Sequence, residues 1–324
     1  MTLSTHATDL QATAPSIPLG LDEVGVTGVV RGVVLGADAA PTTARFDLAA
    51  SLGPGVRGAH MSRFHEAIDH ALALVGDDGR DVGSLAVLAT VIASRAADLQ
   101  GAQSAWARIE ATVAAPRTSP ASTRRTIDPY DTWAHVRVDR SSGAPATTVT
   151  TGVRATGMTA CPCAQNLVRE AARERLAATG MDDEAIAAVL EALPVATHNQ
   201  RSTGELVIEV PGDGAVTELA PPEHLAALVR GAMSAQVHEL LKREDELAVV
   251  EAAHADPRFV EDCVRALLED VVLDEQLAAS LPPNARITVR QVNHESIHAH
   301  DVVATRSATV AQLRAELDLP TLPA

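Results

Sequence analysis

The feature that most limits the fold is the order in which hydrophobic periodicities follow one another. Val24 to Val34 (VGVTGVVRGVV) is β-branched and glycine-punctuated, and Ala44 to Ala49 (ARFDLA) alternates, so both read as strands. After Gly53-Pro54-Gly55, the residues Phe64, Ile68, Ala71, Leu72 and Val75 share one helical face, and a second helix is expected over Val82 to Leu99. Ala105 to Val113 and Thr132 to Val138 then return to strand patterning. The first half thus runs strand, strand, helix, helix, strand, strand.

A Ser/Gly/Ala/Pro/Thr-rich stretch, Ser141 to Thr151, marks a boundary or a long hairpin loop, and the second half repeats the same kinds of element. Thr147 to Thr159 is extended, Asn166 to Leu193 is alanine-rich and helical, and Glu205 to Val210 (ELVIEV) alternates. Pro222 to Leu241 and Asp256 to Val272 read as amphipathic helices, the latter with Asp256 as N-cap and Pro257 at the first helical position. Arg286 to Val292 alternates, and Asp301 to Ala308 is its expected partner. The expected class is α+β: two tandem modules, each an antiparallel sheet with helices on one side, over residues 21–145 and 146–324. The halves share no residue-level identity, so the repeat is architectural. Met1 to Gly20, rich in Ser, Thr, Ala and Pro, reads as a disordered arm.

Composition narrows the function. The 42 acidic against 26 basic side chains give a formal charge of −16, which repels phosphate backbones, and three Phe, two Trp and one Tyr are too few for a base-stacking platform. A nucleic-acid partner is not expected. Lys242 is the sole lysine and follows Leu241, so the Gly-Lys pair of a P-loop is absent. Three cysteines, Cys161, Cys163 and Cys263, do not make a disulfide framework, and a reducing cytoplasm is the expected compartment. No continuous apolar stretch has the length of a membrane span, and no membrane partner is expected.

Chemistry-bearing residues concentrate in the second half. Cys161-Pro162-Cys163 lies outside the common zinc spacing and alone reads as two core thiols. Its company is a dense polar run, Thr197-His198-Asn199-Gln200-Arg201-Ser202, and the octapeptide Asn293 to His300 (NHESIHAH). On a strand His294, Ser296, His298 and His300 would share a face; on a turn Glu295 and His298 could meet. Histidine is both the commonest metal ligand and the natural proton carrier near neutral pH, although a solvated histidine-rich hairpin is the plainer alternative. Lys242-Arg243-Glu244-Asp245-Glu246 reads as a solvated helix end. Glu261, set inside an apolar pattern, is expected to be partly buried and paired.

Six blocks together, in order, carry a resemblance. They are His60-Met61-Ser62-Arg63-Phe64, Thr159-Ala160-Cys161-Pro162-Cys163, His198 to Ser202, Lys242-Arg243 with Asp245-Glu246, Phe259-Val260-Glu261-Asp262, and Glu295-Ser296-Ile297-His298 with His300. The chain resembles the prokaryotic type IB GTP cyclohydrolase I from about residue 24 to about residue 306. The resemblance implies two tunnelling-fold (T-fold) modules per chain and a homotetramer with sites at subunit interfaces. It also implies a divalent metal, Fe2+, Mn2+ or Zn2+, and GTP as substrate, giving formate and 7,8-dihydroneopterin triphosphate at the start of folate and pterin synthesis.

Position by position, the resemblance implies that Cys161 and His198 are metal ligands, and that Glu246 faces the metal or its water. His298 would be a ligand or a proton carrier, and Glu261 would anchor guanine. Cys163 belongs to the motif without a fixed role. Arg63, Arg201, Lys242 and Arg243 are the candidates for holding the triphosphate. One departure is the helical insertion Val168 to Leu193. Together with Thr156-Gly157-Met158-Thr159 and Glu261 to Leu267, it resembles the archaeal Fe(II)-dependent cyclohydrolase, whose product is 7,8-dihydroneopterin 2′,3′-cyclic phosphate. His198 to Ser202 leans toward the bacterial form. Two other classes fit part of the pattern: a hydrolase with Cys161 as nucleophile and His198 as base, and a noncatalytic T-fold purine or pterin binder.

Overall fold

The computed structural model describes residues 9–34, 42–77, 84–143, 145–212 and 219–320. Residues 1–8 of the expected arm, the expected helix start at Val82, and Ala144 of the linker lie outside them. Arm residues 9–20 form neither strand nor helix, but the carbonyls of Gln11 and Thr13 accept the Arg57 amide at 3.0 and 2.9 Å, and Asp9 meets His60 at 3.1 Å.

The described residues form β1 (Leu21–Val33), β2 (Thr42–Leu52), α1 (Met61–Asp77), α2 (Leu85–Gln100), β3 (Ser104–Thr118), β4 (Arg125–Asp139) and β5 (Ala146–Ala160). There follow α3 (Pro162–Ala178), α4 (Asp183–Ala192), β6 (Asn199–Gly212), α5 (Pro222–Gly231), β7 (Ala235–Gln236), α6 (Arg243–Ala255) and α7 (Val260–Leu273). The chain closes with α8 (Glu275–Ala278), β8 (Arg286–Asn293), β9 (Val302–Thr309) and α9 (Val310–Glu316). Hydrogen-bonded neighbours follow the order β1-β2-β3-β4-β5-β6-β8-β9, and β7 pairs with β5. The class is α+β, as the periodicities predict.

The chain divides into two compact units. One comprises described residues within Met1–Thr112, Thr132–Thr151 and Glu209–Pro221; the other comprises Val113–Asp131, Gly152–Ile208 and Pro222–Ala324. In the first unit, β1 pairs antiparallel with β2, and β2 with β3. Strand alternation sends Phe46, Leu48, Ala105, Ala107 and Ile109 to one face, where α1 and α2 supply Phe64, Ile68, Leu88 and Ile92. Each fully buried large side chain contributes about 1.5–3 kcal/mol. Gly28 takes a positive φ of 73° between Val26 and Val29, where the register shifts, and its N–H donates to Asp47 at 2.6 Å.

In the second unit α7 packs on β8 and β9, burying Val264, Leu267 and Val271 beside Ile287 and Val289. The expected pairing of β8 with β9 is present and antiparallel. The helical stretch expected over Asn166 to Leu193 comprises two helices, because the chain turns at Gly180 with φ 89° and Asp182 caps a new helix by accepting the Ala185 N–H at 2.8 Å. Two expectations need correction. The helix expected over Pro222 to Leu241 ends at Gly231, and Ala235 and Gln236 pair with Met158 and Gly157 of β5 instead. Asp256 and Pro257 do not start α7; Asp262 accepts the Phe259 N–H at 3.1 Å, the one half of a capping box that a Phe N-cap allows, while Asp256 holds Arg258 at 2.7 Å.

Asp245 ties α6 to the loop between β3 and β4. Its carboxylate accepts the amides of Ala121, Ser122 and Lys242 at 2.9, 2.7 and 2.8 Å, and the Ser122 hydroxyl at 2.6 Å. Burial opposes its ionisation, but the Ser122, Lys242 and Ala121 donors outweigh this and hold the carboxyl well below the usual carboxylate range. A depressed folded pKa means that the stabilisation is full above the unfolded value of about 4 and fades as pH falls toward the folded one. The expected result is that Asp245→Asn flattens the fall of Tm with pH below about 4, read by thermal scans across that range. An unchanged slope would show that Asp245 does not carry it.

Candidate active site

Strand β5 ends at Ala160, and the chain turns directly into α3. Cys161 occupies the N-cap with Pro162 at the first helical position, and its Sγ accepts the Ala164 N–H at 3.5 Å. The Cys161 amide donates to the His198 carbonyl at 3.1 Å, and the Thr197 hydroxyl donates to the Cys161 carbonyl at 3.0 Å. These bonds set the start of β6 beside the start of α3, so residues separated by 37 positions become neighbours.

The result is a cavity of about 260 Å3 whose lining includes Cys161, His198, Gln200, Glu261, Glu295 and His298. His198 Nδ1 is 3.1 Å from Gln200 Oε1 and 3.9 Å from Glu295 Oε2. The Gln200 amide donates to Thr159 Oγ1 at 3.2 Å and to Glu295 Oε1 at 3.4 Å. The Glu295 side chain is only 7% exposed and that of His198 13%. The rings of His198 and His298 meet edge to face with centroids 6.5 Å apart, and His300 stacks on His298 at 5.4 Å. Thiol, imidazole and carboxylate donors therefore converge on one concave space. No group of three or more His, Cys, Asp or Glu side chains that could hold a metal is found among the described residues.

Past Asn293, which ends β8, the octapeptide bends rather than continuing as a strand, and Glu295 and His298 line the same cavity. His294 points elsewhere, to Asp301 and Thr203, each at 3.0 Å. Glu261 lines the cavity from the first turn of α7 and is exposed, which corrects the expectation of a buried, paired carboxylate. Cys163 is exposed on α3. Cys263 is core: burial pushes its thiol up to about 12, leaving it inert at neutral pH.

The remaining sequence-derived candidates do not line this cavity. Glu246, Lys242 and Arg243 are exposed around the start of α6, and Arg201 is exposed on β6, its carbonyl accepting the His294 N–H at 3.0 Å. Arg63 lies on α1 in the first unit. Arg258, which no sequence motif marks, lines the cavity, as does Asn293, the first residue of the octapeptide. Arg258 donates to the Ala232 carbonyl at 2.9 Å, and its amide reaches the Ala160 carbonyl at 3.0 Å. Asn293 has a buried Oδ1 with no hydrogen-bond partner among the described residues. Its inward position at the end of β8 follows from the alternation of that strand, which is the one signal for it in the sequence.

With this geometry in place, a family model described as "Type I GTP cyclohydrolase folE2" matches residues 7–304. The chain belongs to that family. It is similar to the GTP cyclohydrolase MptA of Methanocorpusculum labreanum, with 35% identity over 316 residues, covering 96% of this chain and 99% of that protein. It is likewise 37% identical over 314 residues to the MptA of Methanoregula boonei, covering 96% of this chain and 94% of that one. Among solved structures, a uricase from Bacillus fastidious aligns with a TM-score of 0.50 at 8% identity, over 93% of this chain and 99% of that one. At that identity it bears on the fold alone, and it supports the T-fold. As a GTP cyclohydrolase the chain is an enzyme, and a noncatalytic binder is set aside. No helix among the described residues is long and apolar enough to cross a membrane.

Proposed function

We propose that this cyclohydrolase opens the guanine imidazole ring of GTP in the Cys161/His198 cavity, with a divalent metal, and releases formate, diphosphate and 7,8-dihydroneopterin 2′,3′-cyclic phosphate, the α-phosphate closing onto the side-chain hydroxyls as diphosphate leaves. The observation that carries the site is the convergence of Cys161, His198, Glu295 and His298 on a space of about 260 Å3. The full-length similarity to cyclohydrolases named MptA favours the archaeal type, and so the cyclic phosphate over the triphosphate.

The donor chemistry fits Fe2+, Mn2+ or Zn2+, since thiolate, imidazole and carboxylate are their usual ligands. Cys161 and His198 are the residues that would hold the ion, with Glu295 beside His198. When bound it would supply an activated water for attack on C8, lowering the water pKa from about 16 toward 7. His298, exposed at the mouth beside His198, is placed to carry protons to N7 and away as formate departs. Glu261 accepts the N1–H and 2-amino hydrogens of guanine as a pair, a donor set adenine lacks. Glu246, Lys242, Arg243, Arg201 and Arg63 lie off the cavity lining of the single chain. We place them at subunit interfaces of a homotetramer, where Glu246 would face the metal or its water and the four basic side chains would hold the phosphates.

Replacing Glu261 tests the anchor. Two hydrogen bonds to a charged acceptor are worth about 1.5–3 kcal/mol each, so Glu261→Ala should lower kcat/KM for GTP by about 10²–10⁴-fold while metal content stays at the wild-type level. A loss of metal with unchanged KM would reassign the residue. The function itself is tested with purified protein, GTP and each metal in turn, following formate and pterin fluorescence and weighing the product by mass spectrometry. Absence of formate with every metal sinks the proposal, and a triphosphate mass overturns its product. Iodoacetamide inactivation that metal removal leaves unchanged would instead favour Cys161 as a nucleophile.

A further inference from the structure

We infer that Gln165 and His254 are positioning residues for the reaction, forming a clamp that fixes the irregular segment 194–198 and thereby the place of His198 in the cavity. The inference rests on the reading of that cavity as the active site.

The segment 194–198 is neither helix nor strand, so no ladder of its own holds it. Its carbonyls are gripped from two helices. The Gln165 side-chain amide, on the first turn of α3, donates to the Val195 carbonyl at 2.9 Å and to the His254 carbonyl at 2.7 Å. A primary amide nitrogen carries two hydrogens, which is what bridging two acceptors requires. His254, near the end of α6, is 8% exposed, and its ring nitrogens lie 3.3 Å from the Thr197 carbonyl and 2.8 Å from the Val250 carbonyl. The Gln165 amide N–H meanwhile donates to the Cys161 carbonyl at 3.1 Å, the same oxygen that takes the Thr197 hydroxyl.

Cys161 and His198 are thus held to one another through Gln165, Thr197 and His254. Neither Gln165 nor His254 lines the reacting cavity. Both line a second space of about 580 Å3, shared with Arg169, Arg173, Glu191 and Glu251. They act through backbone, and the physical consequence of losing them is a small displacement of His198 rather than loss of a reacting group.

The test uses the full-length, metal-loaded enzyme and the variants Gln165→Glu and His254→Leu. Gln165→Glu keeps the shape but removes both donors and sets a carboxylate against two carbonyls. A displacement of about 1 Å costs about 100-fold, so kcat for formate release is expected to fall by about that factor, with the KM for GTP nearly unchanged. Amide hydrogen exchange over 195–198 should accelerate. His254→Gln, whose side-chain amide can donate to the Thr197 carbonyl, should recover much of the rate. As a control, His224→Leu breaks the 2.8 Å contact with Asp274 elsewhere in the unit and should lower Tm without lowering kcat. Rates that fall only in proportion to the folded fraction, or unchanged exchange at 195–198, would overturn the clamp. Should His198→Ala leave formate release intact, the reading of the cavity fails instead, and the exchange measurement still tests the clamp.

Discussion

His198→Ala should lower the rate of formate release from GTP by about 10²–10⁴-fold while the fold and Tm stay close to wild type. His198 is 13% exposed at its side chain, and its Nδ1 side is taken by Gln200 at 3.1 Å and Glu295 at 3.9 Å. That arrangement orients the ring so that its other edge is left for a metal or substrate. The imidazole contributes little to the core, so its loss removes chemistry rather than packing. Rates within about ten-fold of wild type, a loss of only about 1.4 kcal/mol, would place the reacting centre elsewhere. Cys263→Ala is the companion variant: with a thiol raised to about 12 by burial, Cys263 takes no part, and its replacement should leave turnover unchanged.

Arg230→Met should lower the unfolding free energy by about 3–5 kcal/mol. The Arg230 side chain is fully buried, with Nε 3.2 Å from Asp128 Oδ2, itself only 8% exposed. Its Nη2 donates to the Pro129 carbonyl at 3.1 Å, and the guanidinium lies 5.8 Å from the Tyr130 ring centroid. Burial holds the Arg230 pKa below its ordinary value, opposed by the Asp128 charge, and raises Tyr130 to about 12. Methionine alone would strand the Asp128 carboxylate in a site that solvates it poorly. Urea unfolding should therefore show a much larger loss for Arg230→Met than for the double variant Arg230→Met/Asp128→Leu, which removes both charges. Equal losses would mean that packing, not the ion pair, sets the cost.

Legibility in the sequence followed the range of the interactions. The strands β1, β2, β8 and β9 and the helices α1 and α2 were readable because their inward residues repeat at two or at three to four positions, a pattern set by local geometry. The overlong helix expected over Pro222 to Leu241 misled for the same reason: Met233 to Gln236 carries apolar residues that suit a helix, but β5 offers backbone partners across Gly157, where any side chain would strike Met233. Adjacent acids on α6 show the limit most clearly. Asp245 and Glu246 look equivalent as letters, yet about 100° of helical rotation sends one into four hydrogen bonds and the other to solvent.

The sequence by itself determined the class of elements, the exclusion of a P-loop through the solitary Lys242, and the six motif blocks that identify the family. These depend on residue identity and short-range spacing. Only the tertiary structure decided that Cys161, His198, Glu261, Glu295 and His298 share one cavity while Glu246 and the candidate phosphate-binding residues stand off it in the single chain. It also decided that Gln165 and His254 grip the segment carrying His198. Those outcomes rest on hydrogen bonds between residues tens of positions apart, whose partners are fixed only when β5, α3, β6 and α6 come together and each buried carbonyl must find a donor.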